Sequence, residues 1–93
     1  MTDDKPSVLI EHSGKPRRFV FVLMSDFTML SFSAALEALR IANRTAEKEL
    51  YSWILIGEDG DVSTCSNGCT FQLNADLIEL DRDDTIMLCG GIN

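Results

Sequence analysis

The fold is indicated by a short stretch near the front of the chain, Phe19-Val-Phe-Val-Leu-Met24. These six apolar residues do not alternate with polar ones, and most of them are β-branched or aromatic. Such a run is typical of a strand that is buried on both faces, as in a parallel sheet. Ser25-Asp-Phe-Thr28 follows at once and offers side chains suited to cap the start of a helix. The stretch therefore predicts a buried parallel strand that leads into a helix.

The segment after Thr28 has helical periodicity. Apolar side chains recur from Met29 to Leu39 at steps of three and four residues, so they share one face of a helix that extends to about Asn43. Charged side chains, such as Glu37 and Arg40, fall on the opposite side. This pattern predicts an amphipathic helix that packs on the sheet.

Two further apolar segments, residues 51–56 and 85–89, predict additional strands. Between them, two shorter strand candidates at 61–65 and 69–73 are joined by Ser66-Asn-Gly68. Asn-Gly between β-prone segments predicts a hairpin, because both residues tolerate positive φ. Residues 74–80 are expected to form one or two helical turns.

The order of these elements indicates an α/β fold with a mainly parallel sheet. Residues 1–16 are expected to form a flexible leader, and residues 17–93 the N-terminal part of a domain. A parallel sheet needs helices on both faces, and one helix cannot cover both. We therefore expect the front half of a three-layer sandwich, either truncated or completed by another chain. Its uncovered apolar face predicts self-association into a homodimer or a higher oligomer.

Composition narrows the function classes. The chain has 93 residues, 45% of them apolar, and a formal net charge of −7. This charge excludes the segment, on its own, as a nucleic-acid-binding surface, because phosphate contacts require clustered Lys and Arg. No apolar run approaches the roughly 20 residues of a membrane span, and the first residues lack the features of a signal peptide. Three cysteines cannot all pair within one chain, which favours a reducing compartment and hence the cytoplasm.

Two segments are candidates for a ligand site, because ligands bind open α/β sheets at the carboxyl ends of the strands. They are residues 25–28 and 89–91. Neither is a Gly-rich phosphate loop, so no nucleotide or other cofactor is predicted. Two interpretations of Gly90-Gly91 stay open, a tight turn that needs positive φ and backbone N–H groups presented to a ligand. Asp26 is either a helix cap or a ligand contact.

The cysteines do not form an obvious reactive or metal centre. Cys89 would need an activating base, and the only histidine, His12, lies in the predicted leader, so inert packing is favoured. Cys65 and Cys69 have three residues between them, but no second pair of ligands accompanies them, so no metal site is predicted.

The chain resembles the opening of the amidase-like N-terminal domain of AraC-type (GlxA-like) transcriptional regulators. The resemblance rests on Arg18-Phe-Val-Phe-Val-Leu-Met-Ser-Asp-Phe-Thr-Met-Leu-Ser-Phe32 and on Ala35-Leu-Glu-Ala-Leu-Arg-Ile-Ala-Asn43. Tyr51-Ser-Trp53, Ser66-Asn-Gly68 and Cys89-Gly-Gly91 fit the same pattern. The resemblance extends over residues 17–93, which correspond to the front half of the family's sensor domain. Within the family, the chain is most similar to regulators of quaternary-amine catabolism, such as that of glycine betaine or carnitine.

That sensor domain belongs to the PfpI/ThiJ superfamily, whose sheet is flavodoxin-like or class I glutamine-amidotransferase-like. The resemblance implies a ligand pocket with Asp26, Phe27, Thr28 and Ser31 on one wall and the strand-end residues Cys89, Gly90 and Gly91 on the other. Enzymes of the superfamily have a nucleophilic Cys at a position that lies beyond Asn93, and a glutamate at the position that matches Ser31. A hydroxyl cannot replace a carboxylate as acid or base at neutral pH, so the resemblance implies sensing without catalysis.

The preferred interpretation is therefore a non-enzymatic sensor fragment that binds a small-molecule effector and has no membrane partner. DNA would be bound only through a C-terminal helix-turn-helix domain that is missing from this chain. The alternative is a fragment of a PfpI/ThiJ-superfamily hydrolase-like enzyme. A flavodoxin-like electron-transfer or nucleotide-binding module is the third interpretation, and it lacks a phosphate loop.

Overall fold

The computed structural model describes residues 15–58, 60–75 and 78–91. Its elements, in chain order, are β1 (Arg17–Leu23), α1 (Met29–Ala46), β2 (Tyr51–Gly57), β3 (Val62–Thr64), β4 (Thr70–Gln72) and β5 (Thr85–Cys89). Strands β2, β1 and β5 form a parallel sheet in that order, and β3 pairs with β4 as an antiparallel hairpin. This is the strand order that begins a flavodoxin-like sheet, so the α/β prediction is confirmed. Most of the predicted leader lies outside the described residues.

Strand β1 is the centre of the sheet. Phe21 lies opposite Leu55 of β2 on one side and Met87 of β5 on the other. Val20, Phe21 and Leu23 are buried, so consecutive residues that point to opposite faces are both removed from water. The unbroken apolar run therefore forms the doubly buried strand that its composition predicts.

The core lies between the sheet and α1, and aromatic rings dominate it. Phe32 of α1 is 1% exposed and packs edge-on against Phe21, with ring centroids 5.4 Å apart. The hairpin adds Phe71, whose centroid is also 5.4 Å from that of Phe32. Each such pair contributes about 0.5–1.5 kcal/mol beyond the area that it buries. Helix and hairpin together therefore cover one face of the sheet.

Helix α1 is longer than predicted and ends at Ala46 instead of Asn43. Glu47 ends it in the left-handed conformation, with φ of 58°. The side-chain oxygen of Asn43 accepts hydrogen bonds from the N–H groups of Leu50 and Tyr51, at 2.8 and 2.9 Å. Its amide nitrogen donates to the Tyr51 carbonyl at 2.9 Å. Asn43 is thus a link to β2 and not a helix terminus.

The hairpin is confirmed, although its turn uses only one residue with positive φ. Gly68 has φ of +93°, and the non-glycine residues with positive φ do not include Asn67. The Gly68 N–H donates to the Cys65 carbonyl at 3.0 Å, and the Cys65 N–H donates to the Cys69 carbonyl at 2.8 Å. This is the pattern of a three-residue loop in which a glycine bulge follows the turn.

The helical turns predicted over residues 74–80 are absent from the described positions 74, 75 and 78–80; residues 76 and 77 lie outside the described part of the chain. The physical reason lies at Asn74, which pairs with β2 instead. Its N–H donates to the Leu55 carbonyl at 2.8 Å. Its side-chain oxygen accepts the Leu55 N–H at 2.6 Å.

The second face of the sheet has no helix over it in the described residues. Register places the following apolar side chains on it: Val20 and Val22 of β1, Ile54 and Ile56 of β2, and Ile86 and Leu88 of β5. Ile86 and Leu88 are 52% and 71% exposed. The predicted uncovered face is therefore present at β5, whereas Val20 at the centre of the same face is fully buried, and two of the three expected layers are described. We call these six residues the bare face.

A buried carboxylate fastens β5 to β1 at the opposite end of the sheet from the loops 24–28 and 89–91. Arg18 donates from Nε and Nη2 to the two carboxylate oxygens of Asp84, at 3.0 and 2.6 Å. Its Nη2 also donates to the Glu79 carbonyl at 2.9 Å. Arg18 lowers the pKa of Asp84 through these hydrogen bonds, with a further contribution from the Asp81 N–H. No local pattern predicts this pair, because 66 residues separate its members.

Candidate ligand site at the carboxyl edge of the sheet

The two predicted site segments meet at the carboxyl edge of the sheet. Because β1 and β5 are parallel neighbours, their following loops leave the sheet on the same side. The Met24 N–H donates to the Cys89 carbonyl and the Thr28 N–H to the Gly90 carbonyl, both at 3.0 Å. The loop after β1 and the loop after β5 are therefore joined into one surface.

The hairpin forms a third wall of this surface, which the sequence did not predict. The Asp26 N–H donates to the Thr64 carbonyl, and the Ser66 N–H donates to the Phe27 carbonyl, both at 2.9 Å. Phe27 and Cys65 also form an isolated parallel bridge. The hairpin thus also holds the loop after β1, through residues that do not bond to β5.

Asp26 does not cap α1. The N-cap position belongs to Thr28, whose side chain makes no capping hydrogen bond within the described residues. Asp26 instead has φ of 65°, a left-handed conformation that Asp tolerates better than most residues. Its backbone carbonyl then lies against Gly91.

Gly91 is required by the close approach of the Asp26 backbone and not by positive φ. A Cβ atom at Gly91 would lie 2.1 Å from the Asp26 carbonyl oxygen, whereas a Cβ at Gly90 would meet nothing within 4 Å. The described glycines with positive φ are Gly60 and Gly68, so the expectation of positive φ at Gly90-Gly91 is wrong. Only a residue without a side chain fits at Gly91.

Phe27 is placed in the core instead of on a ligand-facing wall. Its side chain is fully buried, with its ring centroid 5.7 Å from that of Phe32 and 5.6 Å from that of Phe71. This corrects the position expected for its ring, which supports the loop from beneath. The reason is that the left-handed turn at Asp26 points the next side chain inward.

Hydroxyl groups line the start of α1. Thr28 and Ser31 are exposed, and the Ser31 hydroxyl donates to the Thr28 carbonyl at 3.3 Å. Ser31 lies in the first turn of the helix, facing solvent, at the position where the resemblance expects a glutamate in the enzymes. These hydroxyls can donate or accept hydrogen bonds but cannot act as a carboxylate base.

Glu58 is a site residue that the sequence analysis missed. It follows β2 directly, and its Oε1 accepts the Ser25 N–H at 2.9 Å. This hydrogen bond lowers the pKa of Glu58, which keeps the carboxylate ionised beside the loop after β1. Its place at the end of the third parallel strand was the available signal, since all three strand ends meet at this edge.

Cys89 lacks the environment of an activated nucleophile. Burial raises the pKa of its thiol, which disfavours the thiolate that nucleophilic attack requires. The one histidine of the sequence, His12, lies outside the described residues. Within residues 15–58, 60–75 and 78–91 no three His, Cys, Asp or Glu side chains form a group that could hold a metal ion. The helix of the described part is too short or too polar to cross a membrane.

The fold and the edge together define an open parallel α/β unit with a candidate small-molecule site at its strand ends. No protein-family model matches the chain. It is 32% identical over 92 residues to the HTH-type transcriptional regulator GbdR of Pseudomonas aeruginosa, strains UCBPP-PA14 and PAO1. That match covers 99% of this chain and 25% of GbdR. A second regulator of P. aeruginosa, CdhR, is 33% identical over 73 residues, which are 78% of this chain and 21% of CdhR.

A solved structure is also similar. The crystal structure of an AraC family transcriptional regulator from Pseudomonas putida superimposes with a TM-score of 0.75 at 28% sequence identity. The superposition covers 83% of this chain and 48% of that one. The relatives are thus transcriptional regulators and the structural neighbour is of the AraC family, as the resemblance implies. The chain spans about a quarter of the length of the curated relatives that it matches.

Proposed function

We propose that this chain is the front part of the ligand-sensing domain of an AraC-type transcriptional regulator. Its small-molecule effector would bind at the carboxyl edge, against Asp26, Thr28, Ser31, Gly90 and Gly91. The observation that supports this most directly is the hydrogen bond from the Thr28 N–H to the Gly90 carbonyl, which joins the loops of two parallel strands. Crevices at such strand ends are where open α/β sheets bind ligands.

The net charge of the chain supports a protein in which ligand binding and DNA binding lie in different domains. The chain has 8 Lys and Arg against 15 Asp and Glu. An acidic surface repels phosphate, so DNA would be contacted by a helix-turn-helix domain elsewhere in the polypeptide. A cytoplasmic location and a homodimeric or higher assembly belong to the same proposal.

The proposed effector class is a small quaternary amine of the glycine betaine or carnitine type. The ionised Glu58 carboxylate beside Ser25 gives this edge a negative charge that attracts the cationic head of such a molecule. The exposed hydroxyls of Thr28 and Ser31 and the backbone around Gly90 would receive its carboxylate end.

Regulation would work by a shift of population. A ligand that contacts both loops favours the arrangement in which they are joined, and it can shift the equilibrium only by its difference in affinity for the two arrangements. The hairpin would follow, because it is hydrogen-bonded to the same loop through Thr64 and Ser66.

The enzyme alternative is less well supported. Ser31 offers a hydroxyl where general acid-base chemistry needs a carboxylate, and burial raises the pKa of Cys89. The relatives found by comparison are regulators and not enzymes.

Titration of the ¹⁵N-labelled chain with glycine betaine and with carnitine, followed by NMR, tests the proposal. We expect progressive amide shifts at residues 25–31, 58 and 90–91, with little change at Asn43 or along β2. The control ligand is 3,3-dimethylbutanoate, which keeps the branched shape and the carboxylate but has carbon in place of the quaternary nitrogen, and it should produce weaker shifts. Shifts that fall elsewhere on the chain, or none for either amine, would contradict the proposed site.

A further inference from the structure

Two cysteines lie at opposed positions at the tip of the hairpin, a feature that the proposed function does not use. Thr64 and Thr70 are the last paired residues of β3 and β4, and their hydroxyl oxygens lie 3.4 Å apart. Cys65 and Cys69 are the next pair along, joined by the hydrogen bond from the Cys65 N–H to the Cys69 carbonyl. Residues opposite each other in an antiparallel pair direct their side chains to the same face.

The spacing of this pair suits a disulfide. Opposed residues of a hydrogen-bonded pair in an antiparallel ribbon have Cα atoms about 5.5 Å apart, within the roughly 4.4–6.8 Å that a disulfide spans. A shared acceptor brings the two residues together further. Oδ1 of Asn67 accepts the Cys65 thiol at 2.6 Å and the Cys69 N–H at 2.9 Å.

The two thiols differ in exposure in the way that a two-step exchange needs. Cys69 is exposed, whereas Cys65 is 1% exposed and belongs to the core. A small disulfide can reach the Cys69 thiol. The Cys65 thiol can then displace the small thiol that has become attached to Cys69.

We propose that Cys65 and Cys69 form a reversible disulfide by exchange with a low-molecular-weight disulfide such as oxidised glutathione. In the first step the Cys69 thiolate attacks one sulfur of the small disulfide, forms a mixed disulfide and releases one small thiolate. In the second step the Cys65 thiolate attacks the Cys69 sulfur and releases the other. Two protein thiols are oxidised, one small disulfide is reduced to two thiols, and the two protons given up by the cysteines are taken up by the small thiolates.

Oxidation of Cys65 and Cys69 would alter contacts at the candidate ligand site. Disulfide formation takes the Cys65 sulfur away from Asn67, whose amide nitrogen lies 3.4 Å from the Met29 sulfur in the first turn of α1. The residues on either side of Cys65, Thr64 and Ser66, accept from Asp26 and donate to Phe27. The redox state of the hairpin tip thus acts on both the loop after β1 and the start of α1.

Peptide mapping tests the proposal on the wild-type chain. The 93-residue protein is incubated with oxidised glutathione, free thiols are alkylated, and the peptides are identified by mass spectrometry. We expect a Cys65–Cys69 disulfide that dithiothreitol reverses, with Cys89 alkylated. Glutathione that stays attached to Cys69, a disulfide that includes Cys89, or Cys69-linked dimers as the main product would each overturn the proposal.

Two variants separate the steps. Cys65→Ser lacks the inner thiol and should retain one glutathione on Cys69, whereas Cys69→Ser should react far more slowly because its remaining hairpin thiol is buried. Cys89→Ser is the matched control and should form the disulfide at the wild-type rate. The wild-type map decides the proposal even if Cys65→Ser fails to fold. Equal rates in Cys69→Ser and wild type would contradict the assigned order.

Discussion

The two faces of the parallel sheet have similar apolar composition but very different surroundings. On one face, Phe21 and Leu23 are fully buried beneath α1 and the hairpin. On the bare face, Leu88 is 71% exposed although its in-register neighbour Val22 belongs to the central strand. The strands are therefore built for two covers, and the described residues supply one. The apolar character of both faces of a strand thus reflects the number of layers in the complete domain, even where a chain contains only part of that domain.

Stability should distinguish the two faces most strongly. Phe32→Ala removes the ring at the centre of the aromatic core and should lower the free energy of unfolding by about 3–5 kcal/mol. At protein concentrations low enough for the chain to be monomeric, Leu88→Ala on the bare face should change it by no more than about 0.5 kcal/mol, as at other exposed positions. Urea unfolding followed by circular dichroism measures both. Phe32→Leu provides a milder core variant that stays folded, and equal losses at Phe32 and Leu88 would break the comparison.

Self-association should depend on the bare face and not on exposed apolar residues in general. The double variant Ile86→Lys, Leu88→Lys should raise the dissociation constant of the oligomer by at least about 100-fold, since the two side chains contribute roughly 3 kcal/mol or more when buried. Leu30→Lys is the matched control, because Leu30 is 77% exposed but lies on the outer side of α1. Sedimentation velocity reports the assembly. A monomeric wild type, or dissociation caused by Leu30→Lys, would refute the prediction.

At the carboxyl edge of the sheet, the two adjacent glycines should differ in how well they tolerate substitution. Gly91→Ala forces its Cβ against the Asp26 carbonyl oxygen and should cost about 1–3 kcal/mol, as overpacking does elsewhere. Gly90→Ala meets open space and should cost less than about 0.5 kcal/mol. Thermal unfolding of the two variants side by side checks this. A Gly90→Ala variant that is as destabilised as Gly91→Ala would argue against the close approach.

The smallest change in stability is expected on acidification, through the ion pair that holds β5. The pKa of Asp84 is lowered in the folded chain, so its ion pair with Arg18 stabilises the fold above the unfolded pKa of about 4 and is lost as pH falls through the folded value. Asp84→Asn should therefore weaken the loss of stability on acidification. Glu37→Gln, which breaks the exposed pair with Arg40 on α1, is the control and should have less effect. Unfolding curves at neutral and acidic pH compare them, and equal acid dependence in both variants would remove the role assigned to Asp84.

The main elements were predictable because their signals are local. The run Phe19-Val-Phe-Val-Leu-Met24 and the periodic apolar stripe after it depend only on neighbouring residues. The features that the sequence did not predict depend on contacts between distant segments. Glu58 reaches Ser25 across 33 residues, the hairpin joins the loop after β1 through backbone groups, and Asn74 leaves its expected helix to pair with Leu55. The ring of Phe27 was misplaced for the same reason, since the turn at Asp26 that directs it inward is fixed by Thr64 and Gly91.

The pairing of Asn74 with Leu55 also determines how the sheet can grow. Because both backbone groups of Leu55 bond to Asn74, they point away from β1, to the outer edge of β2. A single residue there occupies the middle of an edge that would otherwise accept another strand, which is one way in which proteins protect edges against unwanted pairing. Strand β5 has no such guard among the described residues. Addition of a further strand, whether from the same polypeptide or from another, is therefore expected at β5 before β2, so the two edges of the sheet differ in how readily they can be extended.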